Sequence, residues 1–281
     1  MELKNFNSNT GISVIISTYN AEEWLEKVIW SYHAQSFKNF EMIIADDGSK
    51  HPTFELIDKL KAQVHFPITH VWHKDDGFQK SMILNKAITA CNSHYILMSD
   101  GDCLAREDFL KIHNDHREEG YFLSGGYYKL PMSISKAITK EDIVSQKCFQ
   151  LPWLKSKGLQ GSFKNNKLTA RGLKAKLLNL ITPTNASWNG HNSSGWKSDI
   201  LKVNGFDERM QYGGQDRELG ERLFNLGLKS KQIRYSAVCL HLDHKRGYKN
   251  QESIDKNRRI RQTTRSERRQ WTDYGIVKKE G

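Results

Sequence analysis

A chain of 281 residues that is 37% hydrophobic and 27% charged can bury a sizeable core, and its mean hydropathy of −0.68 points to a soluble protein. No apolar run approaches the ~18–20 residues of a membrane span, and the polar stretch 1–10 lacks the apolar centre of a signal peptide. The formal net charge of +11, concentrated in a lysine-rich stretch at 129–176 and an arginine-rich one at 256–269, favours an anionic partner: nucleic acid, an acidic membrane surface or a phosphorylated substrate.

In chain order, residues 12–17 are rich in β-branched side chains and read as a buried strand. Asn20 is placed to cap a helix over 22–35, where Leu25, Val28, Ile29 and Tyr32 recur at helical spacing. A second apolar strand, 42–45, ends at Asp46-Asp47-Gly48-Ser49. A helix around 54–62, a strand near 68–72 and a helix over 81–90 follow. The apolar run 95–98 then closes on Ser99-Asp100-Gly101-Asp102. Strand–helix alternation of this kind predicts an α/β fold with a largely parallel sheet, its ligand loops gathered at the carboxyl ends of the strands.

The second half is less regular. Residues 133–185 are basic and interrupted by Pro152, Gly158, Gly161 and Gly172, and read as irregular structure, a flap or a membrane-facing segment. Order returns at 199–203. Gly213-Gly214-Gln215-Asp216 precedes a helix with Leu219, Leu223 and Leu226 on one face and Gly227 at its end. A strand around 236–240 leads into His241-Leu242-Asp243-His244. Cys91, Cys103, Cys148 and Cys239 lack close-pair metal spacing and fit reduced thiols of a cytosolic protein.

Asp100 and Asp102, one small residue apart at a strand end, form a compact oxygen-ligand set suited to Mg²⁺ or Mn²⁺. Taken alone, the triplet is also an ordinary turn, as are Asp46 and Asp47 before Gly48, and Asp216 is equally a helix cap. His241 and His244 read either as structural histidines or as ligands, but not as a zinc site. Trp188 and Trp196 suit either a buried core or stacking on a sugar ring.

Taken as an ordered set, the segments 12–20 (ISVIISTYN), 45–49 (ADDGS), 75–88 (DDGFQKSMILNKAI), 95–103 (YILMSDGDC), 205–223 and 241–244 (HLDH) resemble inverting glycosyltransferases of family 2 with the GT-A fold. Within that family the chain is similar to bacterial enzymes of lipopolysaccharide-core and capsule synthesis, including chondroitin-polymerase-like domains. The resemblance implies a metal-dependent transfer of a hexose or N-acetylhexosamine from a UDP-sugar to a glycan or glycolipid acceptor. It implies that Thr18, Tyr19, Asn20, Asp46 and Asp47 border the nucleotide, with Lys80 and Asp100 completing the donor site. Asp100, Asp102, His241 and His244 then hold Mn²⁺ or Mg²⁺, and Asp216 is the general base. Gln215, Tyr212 and Trp196 fall on the acceptor side. Three positions depart from the family pattern: Gln79 where Arg is common, Gln215 where Glu precedes the base, and Tyr212 where Trp is frequent.

The implied organisation is a nucleotide-sugar half (1–130), an acceptor and base half (131–250) and a basic C-terminal extension (251–281). The expected location is cytoplasmic, at the inner face of the membrane, attached through 256–269 and 155–176. A nucleic-acid-binding protein and a sugar nucleotidyltransferase are the competing classes. The first lacks a recognisable RNA-binding signature, and the second lacks a glycine-rich phosphate loop near the N-terminus.

Overall fold

The computed structural model describes residues 6–244 and 250–278. The first five positions of the polar N-terminus, and positions 245–249 and 279–281 of the expected C-terminal regions, lie outside the described residues. The elements run β1 (Ile12–Thr18), α1 (Glu22–His33), β2 (Phe40–Asp46), α2 (His51–Lys61), β3 (Ile68–Trp72), α3 (Lys80–Ala90), β4 (Tyr95–Asp100), β5 (Cys103–Ala105), α4 (Phe109–His116), β6 (Tyr121–Ser124) and β7 (Gly126–Lys129). They continue with α5 (Met132–Ala137), α6 (Lys140–Val144), α7 (Leu151–Ser156), α8 (Asn166–Thr169), α9 (Gly172–Ile181), β8 (Ser193–Trp196), α10 (Lys197–Lys202), α11 (Gln215–Asn225), β9 (Lys229–Gln232), β10 (Val238–His241) and α12 (Gln251–Ser266).

A seven-stranded sheet in the order β3-β2-β1-β4-β8-β6-β9 forms the centre, with only β8 running against the rest. A small sheet, β5-β10-β7, lies beside it. The unbroken apolar runs of β1, β2 and β4 follow from burial on both faces. Alternate side chains of β1 enter different cores: Ile12, Val14 and Ile16 pack with Leu25, Val28 and Ile29 of α1, whereas Ile15 packs with Ile83, Leu84 and Ala87 of α3. A sheet sandwiched by helices in this way brings the carboxyl ends of its adjacent parallel strands to one rim.

Three expectations are corrected. The residue that caps α1 is Ala21, without a side-chain bond; Asn20 sits at φ 44° and its amide oxygen accepts from the Lys50 N–H at 2.9 Å, tying two loops together. Residues 133–185 are not irregular: five short helices lie there, and Ile134, Ile138, Ile143, Cys148, Phe149, Leu154 and Leu168 enter the main core. Nor is 251–278 an extension. Helix α12 buries Ser253, Asn257 and Thr264 against α11 and the loop before it, and the following turn places the Asn204 amide between the carbonyls of Thr272 (2.7 Å) and Val277 (2.9 Å).

Candidate active site

Parallel register puts Thr18 opposite Asp46 and Ser17 opposite Asp100, so three loops leave the sheet at one rim, with β1 between β2 and β4. Crevices of this kind, beside adjacent strand ends, are where open α/β sheets bind ligands. Gly101 lies tight on β1: its N–H donates to the Ser17 carbonyl at 2.8 Å, and a Cβ there would come within 2.9 Å of that oxygen. The small residue between the two acids is therefore a packing requirement, and the turn it permits sends Asp100 and Asp102 to different partners.

Asp100 accepts from the Ser17 hydroxyl at 2.8 Å and from the Lys80 ammonium at 2.6 Å, both on Oδ1. Burial works against its charge, but Lys80, His191 and Ser17 overcome that and hold the carboxyl well below its usual range. Burial likewise opposes the Lys80 charge, and Asp100, Asp216 and Asp102 together outweigh it and raise the ammonium. Lys80, at the first position of α3, is thus the electrostatic link between the acidic rim and Asp216.

Asp102 turns toward the small sheet instead. Its Oδ2 lies 3.0 Å from His244 Nε2 and 3.7 Å from His241 Nε2. His241 Nδ1 donates to the Leu242 carbonyl at 2.8 Å, which orients the ring so that Nε2 faces Asp102. One carboxylate and two imidazoles, with ligand atoms within 4.8 Å of one another and one ring oriented by a backbone carbonyl, fit a divalent cation that accepts mixed oxygen and nitrogen donors. Asp100, Asp102 and Cys103 form an overlapping group.

Asp216 is delivered by a different device. Gly213 (φ 112°) and Gly214 (φ 87°) adopt left-handed backbone that other residues resist, and Gly214 caps α11. Asp216 lies in the first helical turn, where the helix dipole favours a carboxylate. Its Oδ1 is buried without a hydrogen-bond partner among the described residues, and Gly190 is packed so closely that a Cβ there would approach Oδ1 to 3.0 Å. Burial raises the Asp216 carboxyl above its ordinary range; Lys80 opposes this and Asp100 reinforces it. A cleft of about 670 Å³ opens beside it, lined also by Trp188, Asn189, His191 and Tyr127. Burial lowers the His191 imidazole to about 4, so it is neutral at pH 7, and the Tyr127 ring stands 4.7 Å away, edge on.

The other expected residues divide. Tyr19 is half exposed at the rim, its hydroxyl donating to Asp75 at 2.9 Å, and Thr18 is nearly buried beneath it. Asp46 is fully buried, with one oxygen on the Ser49 N–H (2.8 Å) and the other on His70 Nε2 (2.9 Å). Asp47 is held by His73 (2.8 Å) and the Gln79 N–H (3.0 Å). Both acids therefore brace the loop, and Asp46 in particular presents no open oxygen to a nucleotide. Gln215 turns back to accept from the Gly213 N–H at 3.0 Å, and Tyr212 packs edge-on against Phe78. Trp196 is not brought to the site: β8 runs antiparallel to β4, so Trp196 pairs with Tyr95 at the opposite edge of the sheet from Asp100. His191 and Arg234, which line the cleft, carry no signal in the sequence beyond a basic or polar residue in stretches without a recognisable motif, and Lys167, expected within the membrane-facing stretch 155–176, lines it too.

The glycosyl transferase family 2 model matches residues 13–141. Chondroitin synthase of Pasteurella multocida is 26% identical over 239 residues, covering 80% of this chain and 24% of the synthase. The matches span only about a fifth to a third of the length of three relatives, the synthase among them. Among solved structures, the mannosyltransferase PcManGT from Pyrobaculum calidifontis, in complex with GDP-Man and Mn²⁺, superposes with a TM-score of 0.57 at 17% identity over 85% of this chain and 59% of that one. TarS 1–349 of S. aureus in complex with UDP gives 0.56 at 15% identity, over 89% and 64%. These likenesses establish the GT-A fold, and over residues 13–141 the chain is similar to glycosyl transferase family 2.

Proposed function

We propose that this protein is an inverting glycosyltransferase that moves a hexose or N-acetylhexosamine from a UDP-sugar to a glycan or glycolipid acceptor of a bacterial surface polysaccharide or lipopolysaccharide. The observation that carries the reading is the buried Asp216 oxygen without a partner, in the wall of a cleft and coupled through Lys80 to the acidic rim. In the reaction, Asp216 takes the proton of the acceptor hydroxyl as its oxygen bonds to the anomeric carbon. The bond from that carbon to the diphosphate breaks on the far face, and its electron pair leaves with UDP. One displacement inverts the centre without a sugar–enzyme intermediate.

Asp102, His241 and His244, with Asp100 beside them, would hold Mn²⁺ or Mg²⁺, which supplies Lewis-acid stabilisation of the departing diphosphate. Lys80 keeps Asp100 ionised and adds its own positive charge to the diphosphate side. The exposed face of Tyr19, with Thr18 and Asn20 behind it, borders the nucleotide, and Asp46 and Asp47 set the shape of the facing loop.

The experiment is an Asp216→Asn variant assayed with a panel of UDP-hexoses in Mn²⁺. Turnover is expected to fall about 10²–10⁴-fold, with UDP affinity retained, and EDTA is expected to abolish wild-type turnover. Undiminished transfer by the variant would overturn the assignment of the base.

The acceptor's setting follows from α9. Among the described residues no helix is long and apolar enough to cross a membrane. Yet α9 exposes Leu173 (83%), Leu177 (58%), Leu180 (83%) and Ile181 (62%), spaced i, i+4, i+7 and i+8 on one face. Its other face, with Ala175 buried and Leu178 half buried, packs on Tyr235. Exposed Lys174 and Lys176 lie beside the stripe, with Lys164 just before it. An apolar stripe edged by lysines is complementary to an anionic bilayer, and we assign the peripheral attachment to α9. Of the arginines at 256–269, Arg258 and Arg261 line the cleft beside Asp216 instead.

A further inference from the structure

Helix α12 carries Arg258 and Arg261 one turn apart, and both reach the cleft beside Asp216. Asn257 donates to the carbonyls of Gln211 (3.1 Å) and Gly213 (3.0 Å), and Thr264 donates to Glu218 at 2.9 Å, so the helix is fixed against the loop that bears Asp216. Arg217 of α11, Lys167 of α8 and Arg234 after β9 complete a wall of five cations. Among the described residues, Asp216 is the one carboxylate that lines the same space.

Two of the five have acidic neighbours: Arg261 pairs with Glu221 at 2.5 Å and Arg258 with Asp255 at 3.0 Å. Lys167, Arg217 and Arg234 form no ion pair with a carboxylate among the described residues. Lys167 is held by the Tyr127 carbonyl at 3.0 Å, and burial together with Arg234 lowers its ammonium. Like charges gathered in a partly closed cleft repel one another, and the arrangement is stabilised when an anion enters. Lys80, Asp100, Asp102, His241 and His244 do not line this cleft, whereas Asp216 and His191 do. The cations therefore stand beside the base, in a cleft that the residues assigned to the donor diphosphate adjoin through Tyr127 and His191 but do not line.

We propose that the wall formed by Lys167, Arg217, Arg234, Arg258 and Arg261 is a phosphate subsite, and that the acceptor carries a phosphate ester close to the hydroxyl that receives the sugar. The inference rests on the sugar-transfer reading and narrows its acceptor class. Three arginines matter because a guanidinium meets phosphate through two parallel N–H groups, which a neutral sugar cannot use. The cleft's volume lies within the range of small-molecule sites and admits a sugar together with its phosphate.

The test uses the full chain saturated with UDP and Mn²⁺, titrated calorimetrically with glucose 1-phosphate, methyl glucoside and glucuronate. Glucose 1-phosphate should bind at least ~10-fold more tightly than the other two, as charge-assisted bidentate contacts predict. Arg234→Gln and Lys167→Gln should each weaken it by about 10-fold, with UDP affinity unchanged. Displacement of glucose 1-phosphate by dodecyl phosphate below its micelle concentration assigns the phosphate to a lipid headgroup; failure to displace it assigns a soluble sugar phosphate. The proposal is overturned if glucuronate binds as well as glucose 1-phosphate, if the variants leave its affinity unchanged, or if they weaken UDP equally. Wild-type protein that binds no UDP would instead defeat the sugar-transfer reading.

Discussion

Five carboxylates sit at the rim or beside it, and their environments give them different work. Asp46 and Asp47 spend their oxygens on histidines and backbone N–H groups, Asp100 on Lys80, and Asp102 faces two imidazoles. Asp216 alone among them keeps a buried oxygen open. Because burial raises its carboxyl, the ionised base is lost at a higher pH than an ordinary carboxylate would be as the solution is acidified. The acidic limb of the kcat/KM profile should therefore lie above the 3.8 of a free aspartate. Lys80 opposes that rise, so Lys80→Met should move the limb to still higher pH. A limb that stays in place in this variant would show that Lys80 and Asp216 are not coupled.

At the scale of elements, α9 and α12 differ, although composition suggests membrane attachment through the basic stretches that include both. Both are basic, but α9 turns leucines to solvent while α12 turns arginines toward the cleft and toward Glu221. Replacing Leu173, Leu177 and Leu180 by Glu removes the apolar stripe and adds charges that an anionic surface repels. Sedimentation with phosphatidylglycerol vesicles is expected to be lost in that triple variant, and to survive when Arg265 and Arg268 are changed to Gln. Each leucine withdrawn from the interface removes about 1.5–3 kcal/mol of burial, whereas each surface cation adds roughly 1 kcal/mol. Retained sedimentation by the leucine variant would return the membrane contact to another surface.

Over the whole molecule, the C-terminal part closes the structure on itself. Glu218 and Arg222 form a buried pair at 2.7 Å within α11, with Thr264 donating to Glu218 and Val203 accepting from Arg222. Breaking such a group is costly because the remaining charge stays buried. Asn257 joins the same assembly to the Gly213 loop, forty-odd positions away in sequence. Asn257→Ala deletes two hydrogen bonds to backbone carbonyls, worth about 1–3 kcal/mol together, and a chain of this size loses roughly 2–4 °C of Tm per kcal/mol. Calorimetry should show a fall of about 2–12 °C, accompanied by reduced turnover as the loop under Asp216 loosens. An unchanged Tm would mean that α12 is not anchored through this residue.

Local sequence alone determined the strand–helix alternation, the parallel sheet and the acids at its rim, because β-branched runs, helical spacing and Gly-Asp turns are properties of near neighbours. Strand β3 falls where the apolar pattern put it, at Ile68–Trp72. Tertiary structure decided which of those acids stay open, since their partners are distant in the chain: His70 for Asp46, Lys80 for Asp100, His244 for Asp102. It also decided that Trp196 lies at the far edge, because nothing in its neighbourhood reveals that β8 runs antiparallel. The cationic wall was the least visible, for its five residues come from α8, α11, α12 and the turn after β9, and charge adds up in space without leaving a pattern along the chain.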